Sequence, residues 1–295
     1  SRILHDTLGQ LDATRDCAVW GTHHRLSAPH ATLVNGTQVQ GFELDDVHRA
    51  GVLHVGAVVL PALIAIAEGQ RTLSGREFLT AAVAGYEIGP RVGLCMGPEH
   101  IGQGWHSGAT VGVFSAAAGA ARGLGLDATR TVHALGIAGT QSAGLMAAQY
   151  GAMVKRMHAG RSAQSGLYGA LLARDGFTGI TDVFESPYGG FCTTFSRSTD
   201  RFNLAELTAG FGQVWQTMQK RDREEELLFV GDQFRRALTL YAVNATGGSA
   251  TSRLASTSSG VIGLLKNAAF GFAHALVRWS AAILARARWS ARVSP

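Results

Sequence analysis

Charge is scarce in this 295-residue chain: Asp, Glu, Lys and Arg make up 16% of it, against roughly 25% in an average soluble domain. With 46% of residues hydrophobic, that shortage excludes disorder of the whole chain and implies surface covered by another subunit. Cysteine is nearly absent. Cys17, Cys95 and Cys192 are odd in number, widely spaced and without a CxxC pair, which excludes a disulfide, zinc or iron–sulfur framework and points to buried thiols in a reducing compartment. No apolar run is long: Val55 to Ala67 spans 13 residues and contains Pro61, short of the roughly 20 needed to cross a bilayer. Alternating β-branched runs, fixed-period repeats, a phosphate-binding glycine loop and a cleavable leader are also missing. The sequence starts at Ser1 without an initiator Met, so it reads as a fragment or processed chain, expected to be soluble and cytoplasmic.

What charge there is lies unevenly. The formal net charge is +5, yet residues 1–200 hold 14 basic and 15 acidic side chains, and residues 233–295 hold eight basic and no acidic ones. The excess therefore belongs to a Ser/Ala/Arg-rich tail, and neither a nucleic-acid nor a membrane partner is expected. Three regions follow: an all-α domain over 1–200, a lid or linker starting over 201–232, and the acid-free tail over 233–295. Val261 to Trp289 has the spacing of an apolar helix with basic residues along it; it reads as a non-native helix, with membrane-surface binding as the alternative.

The body reads as helical and is rich in small residues. Ser74 to Glu77 is a capping box followed by an apolar run through Ile88, which Pro90 is expected to end or kink. Asp127 caps a segment with Val132, Leu135, Ile137 and Ala138 on one face. Ser107 to Ala121 is almost all small residues, which lets helices approach closely. Ser186 to Gly190 is a loop, and 182–194 reads as the start of a connection to another unit.

Three polar clusters carry candidate chemistry. Glu43, Asp45, Asp46, His48 and His54 stand before the long apolar run, either as a helix-capping group or as an acid/base site in which neighbouring groups split one another's pKa values. His106 stands at a glycine-flanked helix start, where the dipole lowers its pKa toward values useful for proton transfer; a structural histidine is the alternative. Lys155, Arg156, His158 and Arg161 form the most basic patch of the body and suit a multiply charged carboxylate, or else a solvated face.

In order, Ser27 to Gly36, Glu43 to His48, Gly104 to Gly108, and Lys155 to Gly160 with Ala163 to Gly166 resemble the MmgE/PrpD family over roughly residues 5–215. That family includes 2-methylcitrate dehydratase, cis-aconitate decarboxylase and iminodisuccinate epimerase. The resemblance implies a large all-α domain, a smaller α+β lid with the site between them, a homodimer, and chemistry on small di- or tricarboxylates without cofactor or metal. It implies His106 as the proton-transfer residue and Lys155 as the carboxylate clamp. His54 would bind substrate or act as acid, and Asp45 and Asp46 would orient neighbouring groups. Glu43, Asp46, His48, Arg156, His158 and Arg161 are the expected substrate-binding residues.

The sequence also departs from the family. In its dehydratase and decarboxylase members the acidic segment commonly reads Asp-Phe-Asp-Asp-Thr and the following histidine precedes Pro; here stand Glu43-Leu44-Asp45-Asp46-Val47 and His54-Val55, which predicts a substrate other than methylcitrate or aconitate. After Phe211 to Trp215 no lid segment of the Lys-Pro-Tyr type is recognisable, and the run Arg221 to Glu226 with the tail reads as a frameshift product rather than a divergent terminus. The expected function is a hydro-lyase of the 2-methylcitrate dehydratase type. Its alternatives are an isomerase of the iminodisuccinate epimerase type and an inactive remnant lacking its lid.

Overall fold

Among residues 2–209, which the computed structural model describes, helices form almost all the regular structure. The chain opens with α1 (Arg2–Leu11), a two-stranded antiparallel pair β1 (Cys17–Ala18) and β2 (Arg25–Leu26), and α2 (Ala28–Val39) with Pro29 in its first turn. Proline fits there because the first helical N–H groups have no intrahelical acceptor. A 3₁₀ turn (Gln40–Phe42) leads into an irregular segment and then α3 (Val55–Gly69). Apolar almost all round, α3 is buried along nearly its whole length, as a helix without a polar face must be.

The capping box forms as the sequence predicts: Ser74 accepts from the Glu77 amide, and Glu77 accepts from the Ser74 amide. It starts α4 (Gly75–Met96), which continues through Pro90, so that proline does not end the helix. The turn over residues 48–53 lies against α4 there, with Gly51 packed on Pro90 and Gly93, and this tertiary support offsets the missing helix hydrogen bond. Short helices α5 (Glu99–Gly102) and α6 (Ser107–Thr110) precede α7 (Gly112–Gly123), so the small-residue run forms two helices broken at Val111. Asp127 accepts from the Arg130 amide and caps α8 (Ala128–Gly139).

After a 3₁₀ turn (Met146–Gln149), α9 (Val154–Arg174) crosses the molecule and packs on α2, α7 and α8. Its contact with α7 depends on Gly166: a Cβ there would stand 2.4 Å from the Ala116 Cβ and 2.5 Å from the Ala117 amide nitrogen. Residues 182–194 themselves pack into the helical core, with Val183, Phe184, Phe191 and Cys192 buried in it. Phe184 and Phe191, the latter opening α10 (Phe191–Ser196), pack on Phe114 in the core, one tilted and one edge-on, with ring centroids 4.7 and 4.8 Å away. All three cysteines are buried and free, and the Cys95 and Cys192 sulfurs lie 3.7 Å apart. The 3₁₀ turn Leu204–Leu207 is held to α4 by Arg91, itself 1% exposed, which pairs with Glu87 and donates to the carbonyls of Glu206 and Ala209.

The charged run at Arg221, the tail over 233–295 and the helix expected at Val261 to Trp289 lie outside the described residues. Among the described residues, no helix is long and apolar enough to cross a membrane.

Candidate active site

α9 supplies the cations. Three residues apart, Lys155 and His158 project from one face of the helix, whereas Arg161, six residues on, lies about 120° around from Lys155. Arg161 is exposed and donates to Gln164, so the structure does not bring it to the cluster. Lys155 pairs through Nζ with the Glu43 carboxylate, and a terminal guanidinium nitrogen of Arg156 lies 2.7 Å from the same oxygen. Arg156 is close enough for charge attraction but off the line of a hydrogen bond. Burial, and then the charge of Arg156, lower the pKa of Lys155.

Glu43 reaches these cations because the 3₁₀ turn after α2 ends with Glu43 itself in the left-handed region, at φ 51°. A non-glycine residue there is uncommon and stores strain. The carboxylate expected to bind substrate thus occupies the clamp expected to bind substrate.

Asp45 and Asp46, adjacent in sequence, have different duties. Asp45 Oδ2 lies 3.1 Å from His54 Nδ1, while its Oδ1 is buried without a partner. Asp46 accepts from the Gly56 amide at 3.1 Å in the first turn of α3, the capping duty that the sequence left open. Burial, with the neighbouring charge of Asp45 adding to it, raises the Asp46 carboxyl to about 6 against the bonds from Gly56 and Tyr86. His48 is spent on its own turn: its Nδ1 accepts from the Gly51 amide at 3.0 Å, and its backbone pairs with Leu53.

His106 is the N-cap residue of α6, anchored by its amide to the Gly144 carbonyl at 3.1 Å. Its ring lies beside that of His158, with centroids 5.0 Å apart, a 42° tilt and an Nδ1 to Nδ1 distance of 3.3 Å. Both residues are buried. Gly108 makes room for the His106 ring, since a Cβ there would stand 2.9 Å from His106 Cε1, while Gly144 lets its loop approach α6, where a Cβ would stand 2.2 Å from the Ala109 Cβ.

The His106 pKa falls to about 4, chiefly by burial and then by the charges of His158, His54 and Arg156. The expected cause, the dipole of the following helix, does not account for it; α6 has four residues. Burial and the charge of Lys155 likewise lower His158. Two neutral imidazoles therefore stand near a carboxylate-filled cationic clamp, a combination suited to moving a proton at an atom next to a bound carboxylate.

Sequence reasoning missed Tyr86, whose hydroxyl meets Asp46. Nothing local marks one phenol in an Ala/Gly-rich helix; only its tertiary neighbour does. Among the described residues, no group of three or more His, Cys, Asp or Glu side chains is arranged to hold a metal ion.

The arrangement has counterparts in known proteins. The model of the MmgE/PrpD N-terminal domain matches residues 1–203. A cis-aconitate decarboxylase-like protein (oryM) of Aspergillus oryzae is 46% identical over 215 residues, covering 70% of this chain and 45% of that protein. Cis-aconitate decarboxylase of Aspergillus terreus is 40% identical over 213 residues, 70% of this chain and 44% of the relative. The human cis-aconitate decarboxylase is 31% identical over 185 residues, 60% of this chain and 38% of that one. The match spans less than half the length of these relatives.

Proposed function

Since the chain belongs to the MmgE/PrpD family, we propose that it carries the helical, histidine- and lysine-bearing part of a lyase that releases carbon dioxide from a small unsaturated tricarboxylate. The observation that carries the reading is the Lys155 and Arg156 clamp, closed on the carboxylate of Glu43, with the buried His106 and His158 pair near it. The names of the relatives favour decarboxylation over the dehydration expected from the motifs, and cis-aconitate over the changed substrate expected from the Glu43 to Val47 segment. The homodimer belongs to the same proposal.

In this reading a substrate carboxylate takes the place of Glu43 on the cations. The bond from the departing carboxylate to its carbon breaks, and the electron pair stays on a carbon conjugated with the double bond and a remaining carboxylate. Lys155 opposes the charge that develops there, in a setting where water screens it poorly. His106, neutral beforehand, takes up a proton from solvent as the polyanion docks, since nearby negative charge raises an imidazole's pKa. It then delivers that proton to the carbanion, so carbon dioxide leaves and one solvent proton enters.

Incubating the full chain with cis-aconitate in deuterated water tests this. The expected result is carbon dioxide release with one deuterium in the product by NMR. Dehydration of 2-methylcitrate with cis-aconitate untouched, proton exchange on iminodisuccinate alone, or no turnover of any of the three would overturn it.

A further inference from the structure

The 3.3 Å contact between His106 Nδ1 and His158 Nδ1 fixes a proton count. Two nitrogens at that distance attract only if one carries a hydrogen and the other presents a lone pair. Both rings are buried, and burial is the leading cause that lowers both pKa values, so each ring holds a single proton near neutral pH. One of those two protons lies between the Nδ1 atoms. The other must sit on an outer nitrogen.

From this geometry we infer that His158 is the positioning residue of His106: the two rings share one proton between their Nδ1 atoms, so their Nε2 atoms are always in opposite states, one protonated and one bare. Transfer of the shared proton across the contact, with the matching exchange at the outer nitrogens, converts His106 from a base into a donor without changing the net charge of the pair. When His106 takes a proton on Nε2, its Nδ1–H donates to the lone pair of His158, and the new positive charge is spread over a hydrogen bond. The room left by Gly108 admits the His106 ring to this contact. The substrate-facing role of His106 rests on the proposed function; the proton sharing does not.

This reassigns His158. The sequence placed it among residues that touch substrate, whereas here it acts through its neighbour, as an orienting partner does in other proton-transfer sites. Lys155, one turn earlier on the same face, keeps the substrate-facing duty.

Nitrogen-15 NMR of histidine-labelled full chain at neutral pH, without substrate, reads the sharing directly. The expected spectrum shows one of the two residues as the Nδ1–H tautomer and the other as Nε2–H, with a nitrogen–nitrogen coupling across the hydrogen bond. Finding both as Nε2–H tautomers overturns the inference, whether or not the chain turns over cis-aconitate. In His158→Phe the coupling is expected to vanish and kcat to fall on the order of tenfold or more at unchanged KM, while His158→Gln, which restores an acceptor, recovers part of the loss. A folded His158→Phe with the parent's kcat would also overturn it, and if that variant does not fold, the spectrum of the unaltered protein decides alone.

Discussion

The phenol of Tyr86, on α4, donates to the Asp46 carboxylate, which also accepts from the Gly56 amide. This joins the acidic segment before α3 to the middle of α4. The bonds do not make ionised Asp46 comfortable: burial dominates, and its carboxyl rises from 3.8 to about 6. His106 is displaced in the opposite direction, from 6.5 to about 4.

The two shifts have opposing consequences for stability. For Asp46 the fold binds a proton that the unfolded chain releases, so stability is lost as pH rises from about 4 to 6, to about 3 kcal/mol at most. For His106 the unfolded chain takes up the proton first, so stability of about the same size is lost as pH falls from about 6.5 to 4. The parent protein is therefore expected to show little net dependence from these two groups in that window. Asp46→Asn, which keeps an oxygen for the Gly56 amide, should become steadily less stable on acidification, and His106→Gln should become less stable as pH rises. Melting temperatures by circular dichroism between pH 4 and 7 check this; two variants with the parent's profile would contradict it.

Glu43 competes with any carboxylate for Lys155 and Arg156. Glu43→Gln removes the competitor's charge while keeping its length, and a half-exposed ion pair of this kind contributes about 1 kcal/mol. Calorimetric titration with tricarballylate, a saturated tricarboxylate, should show binding tightened by about fivefold, with the gain shrinking in high salt. Weaker binding in the variant would mean that Glu43 helps to hold the ligand.

Gly166→Ala sets two effects against each other. Alanine favours a helix interior by about 1 kcal/mol over glycine. Here its Cβ would press on the Ala116 side chain and the Ala117 backbone, and overpacking of that kind costs about 1–3 kcal/mol. The clash should win, lowering the melting temperature by several degrees. Gly75→Ala, with nothing within 4 Å of the new methyl, serves as the control and should show no loss.

Much of the helical body was legible because its signals are local. Ser74 with Glu77, and Asp127, satisfy donors within a few residues of themselves, so the sequence alone states where α4 and α8 begin. Pro90 misled because its effect depends on what packs beside it, and the turn at Gly51 is brought there by the chain's path rather than by its neighbours. In the candidate site, the Glu43 to Asp46 segment, His54, His106 and the α9 cations could be singled out by residue type and order. His48 and His54 look alike in sequence, six residues apart; the turn that gives one to Gly51 and the other to Asp45 separates them. The shared burial of His106 and His158 had no local signal, since they stand 52 positions apart in the sequence.

The seating of α9 on α7 at Gly166 also sets a scale of length. Slid by one position, the helix would bring the side chain of Ser165 or Leu167 against Ala116, where only a hydrogen now fits. Its register is thereby keyed like a shaft in a slot, and His158, eight residues or about 12 Å back along the axis, inherits that setting together with Lys155. The ammonium and the imidazole pair behave as two marks on a rigid ruler. Under the proposed function, a ligand anchored by its carboxylate at Lys155 would have its reacting carbon placed by that fixed spacing.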